Sequence, residues 1–189
     1  MTEAAAAIAV RDGLEKVTAK AVAAAIGVFP GLISHYFTAD QLVAAAFGHA
    51  AAAERDGIFA AAAQSATDPL GELGYIIFGY LDPGQDPVIL LWLDAWQASR
   101  YRPALRAEVI VQMNEDVRRM SVLITAATDR GLVRPVCGPE QAAVRIFSLI
   151  DALDVQAAIR GGGFDDYTDL QAFLIGVVSQ ILGTPLTRP

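Results

Sequence analysis

The chain has one cysteine and two histidines among its 189 residues, and two of its fourteen basic residues are lysines. Cys137 alone can form no internal disulfide and has no second thiol for a metal knuckle, so a reducing, cytoplasmic setting is expected. His35 and His49 stand in no nucleophile, metal or phosphate-loop pattern, which implies no cofactor and no metal and argues against a helical enzyme. The longest wholly apolar stretches run around six to eight residues, far short of the roughly 18 that a membrane-spanning helix needs, and no signal peptide is expected. A formal charge of −7 speaks against a coat of basic surface, while leaving room for a small nucleic-acid-binding face.

What is present is apolar and rich in alanine. Hydrophobic residues make up 54% of the chain and 35 residues are alanine, concentrated at 4–7, 44–46, 50–53 and 60–63, so an all-α fold with a real core is expected. Breakers at Gly13, 27–31, 68–69, 82–87, 102–103, Gly131, 135–139 and 161–163 leave nine helix-sized segments. The first three are short, at about 2–12, 18–25 and 29–36. Thr38 with Gln41 three residues later fits a capping box, so helix four starts near Ala39 and runs to about Ser65, bridging a small N-terminal part and a larger remainder. Pro103 and Pro139 open later helices and Gly131 closes one, giving segments of about 103–130, 139–160 and 166–183.

Gly27 fits the turn of a helix-turn-helix. Two short crossing helices need a small residue where they touch, a glycine where the chain turns, and apolar residues that fix the second helix. Ala23, Gly27 and the set Val22, Ile26, Val28, Ile33 and Tyr36 supply these, with Ile8 and Val10 on the preceding helix. The residues Gly13, Leu14, Val17, Thr18, Ala21 to Ala23, Ala25 to Val28, Gly31 and the run Leu32 to Phe37 resemble TetR-type repressors. Trp92 to Trp96, Asp129 to Leu132 and Leu149 to Leu153 resemble, more loosely, the choline-responsive BetI-like branch.

That resemblance implies an all-α homodimer, with an N-terminal three-helix DNA-binding bundle at 1–47 and an effector-binding and dimerisation domain at 48–189. It implies that helix three enters the major groove of double-stranded operator DNA, with Thr18, Lys20 and Tyr36 at phosphates and Phe29, Pro30, Gly31, Ser34 and His35 at the reading face. The chemistry agrees: threonine and tyrosine hydroxyls donate to phosphate oxygens, and Ser34 and His35 can hydrogen-bond base edges or backbone. The alternative roles are a helix cap for Thr18 and packing for Tyr36. The chain also departs from the pattern. Phe29 stands where a serine is usual, and Ala39 stands where a phosphate-binding lysine is common. Residues 1–47 hold three basic and four acidic side chains, so weak, salt-limited DNA binding is expected unless base contacts and dimer geometry compensate. The start at Met1 is short for such a family.

Residues 48–189 carry 11 basic and 17 acidic side chains and offer no second nucleic-acid surface. Trp92 and Trp96 share a helical face, with Tyr75, Phe78 and Tyr101 near in sequence and Asp94 in an apolar run. Aromatic faces with a carboxylate suit a cationic ligand, whereas tryptophans at this spacing also serve as plain core. Asp151 and Asp154 could pair as acid and base, but no histidine partners them. Arg118 and Arg119 read as a solvated face and Cys137 as a loop thiol. The last two segments have broad apolar faces (Val144, Phe147, Ile150, Leu153 and Val155; Phe173, Leu174, Val177, Val178 and Ile181), which the resemblance makes the dimer interface. A TetR-type regulator, a repressor released by a small-molecule effector, is the expectation. The alternative is a helical ligand- or protein-binding dimer that has lost tight DNA binding.

Overall fold

The computed structural model describes residues 1–80, 87–159 and 170–187. Among them the chain is helical, with no strand: α1 (Thr2–Asp12), a 3-10 turn at Leu14–Lys16, α2 (Ala19–Ile26), α3 (Pro30–Tyr36), α4 (Ala39–Ser65), α5 (Pro69–Tyr80), α6 (Pro87–Ser99), α7 (Pro103–Asp129), α8 (Pro139–Ile159) and α9 (Leu170–Leu182). The predicted break at 161–163 lies outside the described residues, as does all but the last residue of the one at 82–87.

Local chemistry sets these ends. Thr38 and Gln41 form the reciprocal box that the spacing predicts, Thr38 N–H donating to Gln41 Oε1 at 3.0 Å and Gln41 N–H to Thr38 Oγ1 at 3.2 Å. Asp68 Oδ1 accepts the Gly71 N–H at 2.8 Å ahead of α5. The start of α7 is capped from far away in sequence, because Asp40 Oδ2 on α4 accepts the Ala104 N–H at 3.0 Å.

The helices form two compact units, to each of which α4 and α7 contribute. The first comprises Met1–Arg55 and Pro87–Met113. Its core is built from Ile8, Leu14, Val22, Ile33, Leu42, Phe47, Leu91, Ala95 and Leu105, so α6 and the start of α7 complete the hydrophobic support of the three short helices. Beside this core Arg55 donates to Gln112 Oε1 at 2.8 Å and Gln112 Nε2 to Glu108 Oε1 at 2.6 Å, joining α4 to α7 through a buried polar chain.

The second unit comprises Asp56–Asp86 and Asn114–Pro189. Its core holds Leu73, Ile76, Ile77, Met120, Ile124, Ile146, Ile150, Leu174, Val178 and Leu182. Arg118 and Arg119 are ion-paired here rather than simply solvated: both bind Glu115, and Arg119 also pairs with Asp56 at 2.6 Å and lies over the Phe59 ring. The hydrogen bonds from Arg118 and Arg119 hold the Glu115 carboxyl down at about 2. The C-terminal end of α9 is pinned to the loop before α8, where Arg134 N–H donates to Leu182 O at 2.9 Å and Val136 N–H to Ile181 O at 3.0 Å. Cys137 packs partly buried against this core.

Candidate DNA-reading face and effector residues

The turn between α2 and α3 is built as its sequence requires. Gly27 adopts φ 71°, ψ 34°, a left-handed conformation that costs an L-residue about 1–2 kcal/mol. Its N–H and that of Val28 both return to the Ala23 carbonyl. Val22, Ala23 and Ile33 are buried where the two helices meet, so one face of α3 is held and the other is presented.

The presented face contains the expected residues. Pro30, Gly31, Ser34 and His35 are exposed, Tyr36 is 62% exposed and Phe29, the residue preceding α3, is 87% exposed. The His35 and Tyr36 rings meet edge to face at 5.1 Å. Tyr36 therefore directs much of its ring outward and is not core packing. Thr18 does cap α2, its Oγ1 accepting the Ala21 N–H at 3.1 Å, yet it is exposed and its hydroxyl proton remains a donor. Lys20 is exposed beside it. An open groove of about 820 Å³ borders Thr18 and is lined also by Arg11, Lys16, Asp12 and Glu15, two cations against two carboxylates. Arg11 is already bound to Asp12.

The six aromatic and acidic residues of the expected effector set fall in different units. Trp92 and Trp96 pack against the core of the first unit, Trp92 edge to face on Phe47 at 4.8 Å and 5.7 Å from Trp96. Asp94 is exposed, near Gly13, and Tyr101 is 78% exposed with the Arg100 guanidinium 5.5 Å from its ring centre. Phe78 and Tyr75 belong to α5 of the second unit, the first buried and the second partly exposed.

Asp151, on α8 of the second unit, is chemically distinctive in a way that spacing did not reveal. Burial, with the nearby Asp116 carboxylate adding to it, pushes its carboxyl up to about 6. The side chain of Asp154 lies outside the described residues. Of the predicted dimer faces, Phe147, Ile150, Leu174, Val178 and Ile181 are buried within their own unit, while Val144 and Phe173 are exposed. Among the described residues no helix is long and apolar enough to cross a membrane, and no group of His, Cys, Asp and Glu is placed to hold a metal.

A family model described as the C-terminal domain of BetI-type transcriptional repressors matches residues 76–177. The HTH-type transcriptional regulator BetI of Pseudomonas fluorescens is 33% identical over 164 residues, covering 79% of this chain and 80% of that protein. The BetI regulator of Burkholderia thailandensis is 31% identical over 174 residues, 84% of each. Among solved structures, a TetR-family regulator from a Rhodococcus species matches with a TM-score of 0.76 at 19% identity, covering 96% of this chain and 95% of that one. A transcriptional regulator from Saccharomonospora viridis, in complex with choline, matches with a TM-score of 0.70 at 19% identity, covering 94% and 93%. The structural likenesses establish the fold, and the sequence relatives establish the family. Its members are regulators rather than enzymes, acting as dimers on operator DNA and small-molecule effectors, and a dimer without tight DNA binding is not favoured. The chain belongs to the BetI-type branch of the TetR family of DNA-binding transcriptional regulators.

Proposed function

We propose that this regulator is a cytoplasmic homodimeric repressor that reads its operator through residues 1–47 and is released by a small organic cation acting on residues 48–189. The observation that carries the reading is the exposed surface of α3: the helix is held by buried Ile33, while Pro30, Gly31, Ser34 and His35 on it and Phe29 just ahead of it are exposed. Thr18, Lys20 and Tyr36 flank that face with exposed hydroxyl and ammonium donors suited to phosphate. Exposed Val144 and Phe173 support a dimer formed through α8 and α9, whose two-fold axis would set two reading helices in successive major grooves.

Support for a cationic effector comes from the choline complex of the Saccharomonospora protein and from this chain's own chemistry. Tyr75, on the same helix as the buried Phe78, offers aromatic surface in the second unit, and Asp151 is a carboxyl whose ionisation an organic cation would favour. Trp92 and Trp96, with Asp94 and Tyr101, form a separate candidate group in the first unit. The effector acts by binding the DNA-incompetent state more tightly than the competent one.

The test is fluorescence anisotropy of the full chain on DNA from its own upstream region and on a scrambled duplex, across a salt series, with and without choline. Selective binding that choline weakens is expected. Equal affinity for both duplexes would overturn the proposed reading face, and selective binding indifferent to choline would overturn the effector class. Tyr36→Phe, which keeps the ring and removes one phosphate donor from each protomer, should weaken operator binding by about 1 kcal/mol per protomer, roughly thirtyfold for the dimer, with unchanged folding.

A further inference from the structure

We propose that Phe29 reads sequence directly, by packing its ring on the 5-methyl group of a thymine in the major groove. The inference rests on the assignment of α3 as the base-reading helix and says what that helix recognises. Phe29 is 87% exposed, more than any other large apolar side chain among the described residues. Its position ahead of Pro30 offers no side-chain hydrogen bond to the first turn, so it does not do the work of a polar cap. Leu32, whose N–H donates to the Phe29 carbonyl at 3.0 Å, is 40% exposed, and Ile26, ahead of the turn, is 37% exposed.

The rest of the reading face narrows the chemistry. From Phe29 to Tyr36 there is no arginine, lysine, asparagine, glutamine, aspartate or glutamate. The side chains that pair bidentately with guanine or adenine, or accept from cytosine, are thus missing from α3. His35 and Ser34 can each make single polar contacts. What α3 offers in quantity is apolar surface, and thymine is the base that presents an apolar group in the major groove.

Gly31 is compatible with such a contact. Its φ is not in the left-handed region, and a Cβ built there meets nothing within 4 Å. The open space around Gly31 leaves the surface two residues from Phe29 without a side chain. A helix approaching closely there brings the neighbouring ring within van der Waals reach of a base edge.

The experiment starts from a duplex library with a randomised centre, from which the full-length dimer selects its own sites. Each thymine of the selected duplex is then replaced singly by deoxyuridine, which removes only the methyl group. The expected result is one thymine per half-site where the change weakens binding roughly fourfold, the value of one buried methyl, by the same factor at every salt concentration because no charge is involved. The Phe29→Ser variant, altered at an exposed position and checked for an unchanged melting temperature, should bind the thymine and deoxyuridine duplexes equally. Selected sites without a deoxyuridine-sensitive position, or a Phe29→Ser protein that keeps the same ratio, would overturn the proposal while leaving α3 as the reader. Absence of any enriched sequence would overturn both.

Discussion

Replacing Asp151 by asparagine removes a carboxyl that the folded chain holds at about 6, against an ordinary value of 3.8. The folded state therefore binds a proton more tightly than the unfolded chain does. Below the unfolded value both states are protonated and the group costs nothing. As pH rises from about 4 to about 6 the unfolded chain releases its proton first, and stability falls through that window. Above it the folded protein carries the whole penalty of a desolvated carboxylate beside Asp116. Two pH units at about 1.4 kcal/mol each set a ceiling near 3 kcal/mol, and the partial exposure of Asp151 reduces this to about 1–2 kcal/mol. The asparagine side chain is nearly isosteric with the aspartate and carries no charge. Urea unfolding of Asp151→Asn and the parent at one fixed protomer concentration should give equal stabilities near pH 4 and a variant more stable by about 1–2 kcal/mol near pH 8. A stability gap that does not change with pH, or a variant less stable than the parent near pH 8, would refute the reasoning. The same titration links to the effector: if an organic cation settles beside Asp151, it favours the ionised form, so its affinity rises with pH through about 6 and Asp151→Asn abolishes that rise.

Glycine substitutions separate folding from reading. Gly183 has φ 64°, and a Cβ there would collide with the Arg134 carbonyl, which belongs to the loop pinned to the end of α9. Gly183→Ala should cost about 2–4 kcal/mol, the left-handed conformation and the backbone collision together, whereas Gly27→Ala, with φ 71° and open space, should cost about 1–2 kcal/mol. Denaturant midpoints measure both, and equal losses would show that the collision relaxes without cost. Gly31→Ala should raise stability by up to about 1 kcal/mol through helix propensity while weakening operator binding. Unchanged anisotropy titrations would show that the methyl group meets no DNA.

How far the sequence carried depended on the range of the interaction. Caps and turns are local, so Thr38 with Gln41, Pro103, Pro139 and the glycine at 27 placed the helix ends almost where they lie, and α4 runs from Ala39 to Ser65 as expected. The Asp40 carboxylate that caps α7 was not legible, because 64 residues separate it from the N–H that it accepts. Nor was the chain of Arg55, Gln112 and Glu108, which exists only once α4 and α7 lie side by side. The spacing of Trp92 and Trp96 could not distinguish a ligand pocket from core packing, since both put aromatic rings on one helical face. Phe47, far away in sequence, supplies the edge-to-face contact. Asp151 and Asp154 looked like a possible pair because they are three residues apart. Among the described residues a carboxylate that acts on Asp151 is Asp116, from another helix.

The reading of Phe29 turned on exposure in the same way. In sequence it is a missing serine and a lost polar contact. On the folded chain it is exposed apolar surface two residues before a glycine with open space around it. This changes how a reader with three cations and four carboxylates can be selective. Phosphate contacts supply affinity that every sequence shares and that salt weakens. Arg11, moreover, has a carboxylate neighbour in Asp12, and the groove beside Thr18 balances its charges. Contact with a thymine methyl is neither shared nor screened. A reader poor in phosphate contacts and rich in apolar ones loses general affinity for DNA while retaining its preference among sequences. For such a protein the ratio of operator to scrambled binding should hold steady across a salt series in which both affinities fall.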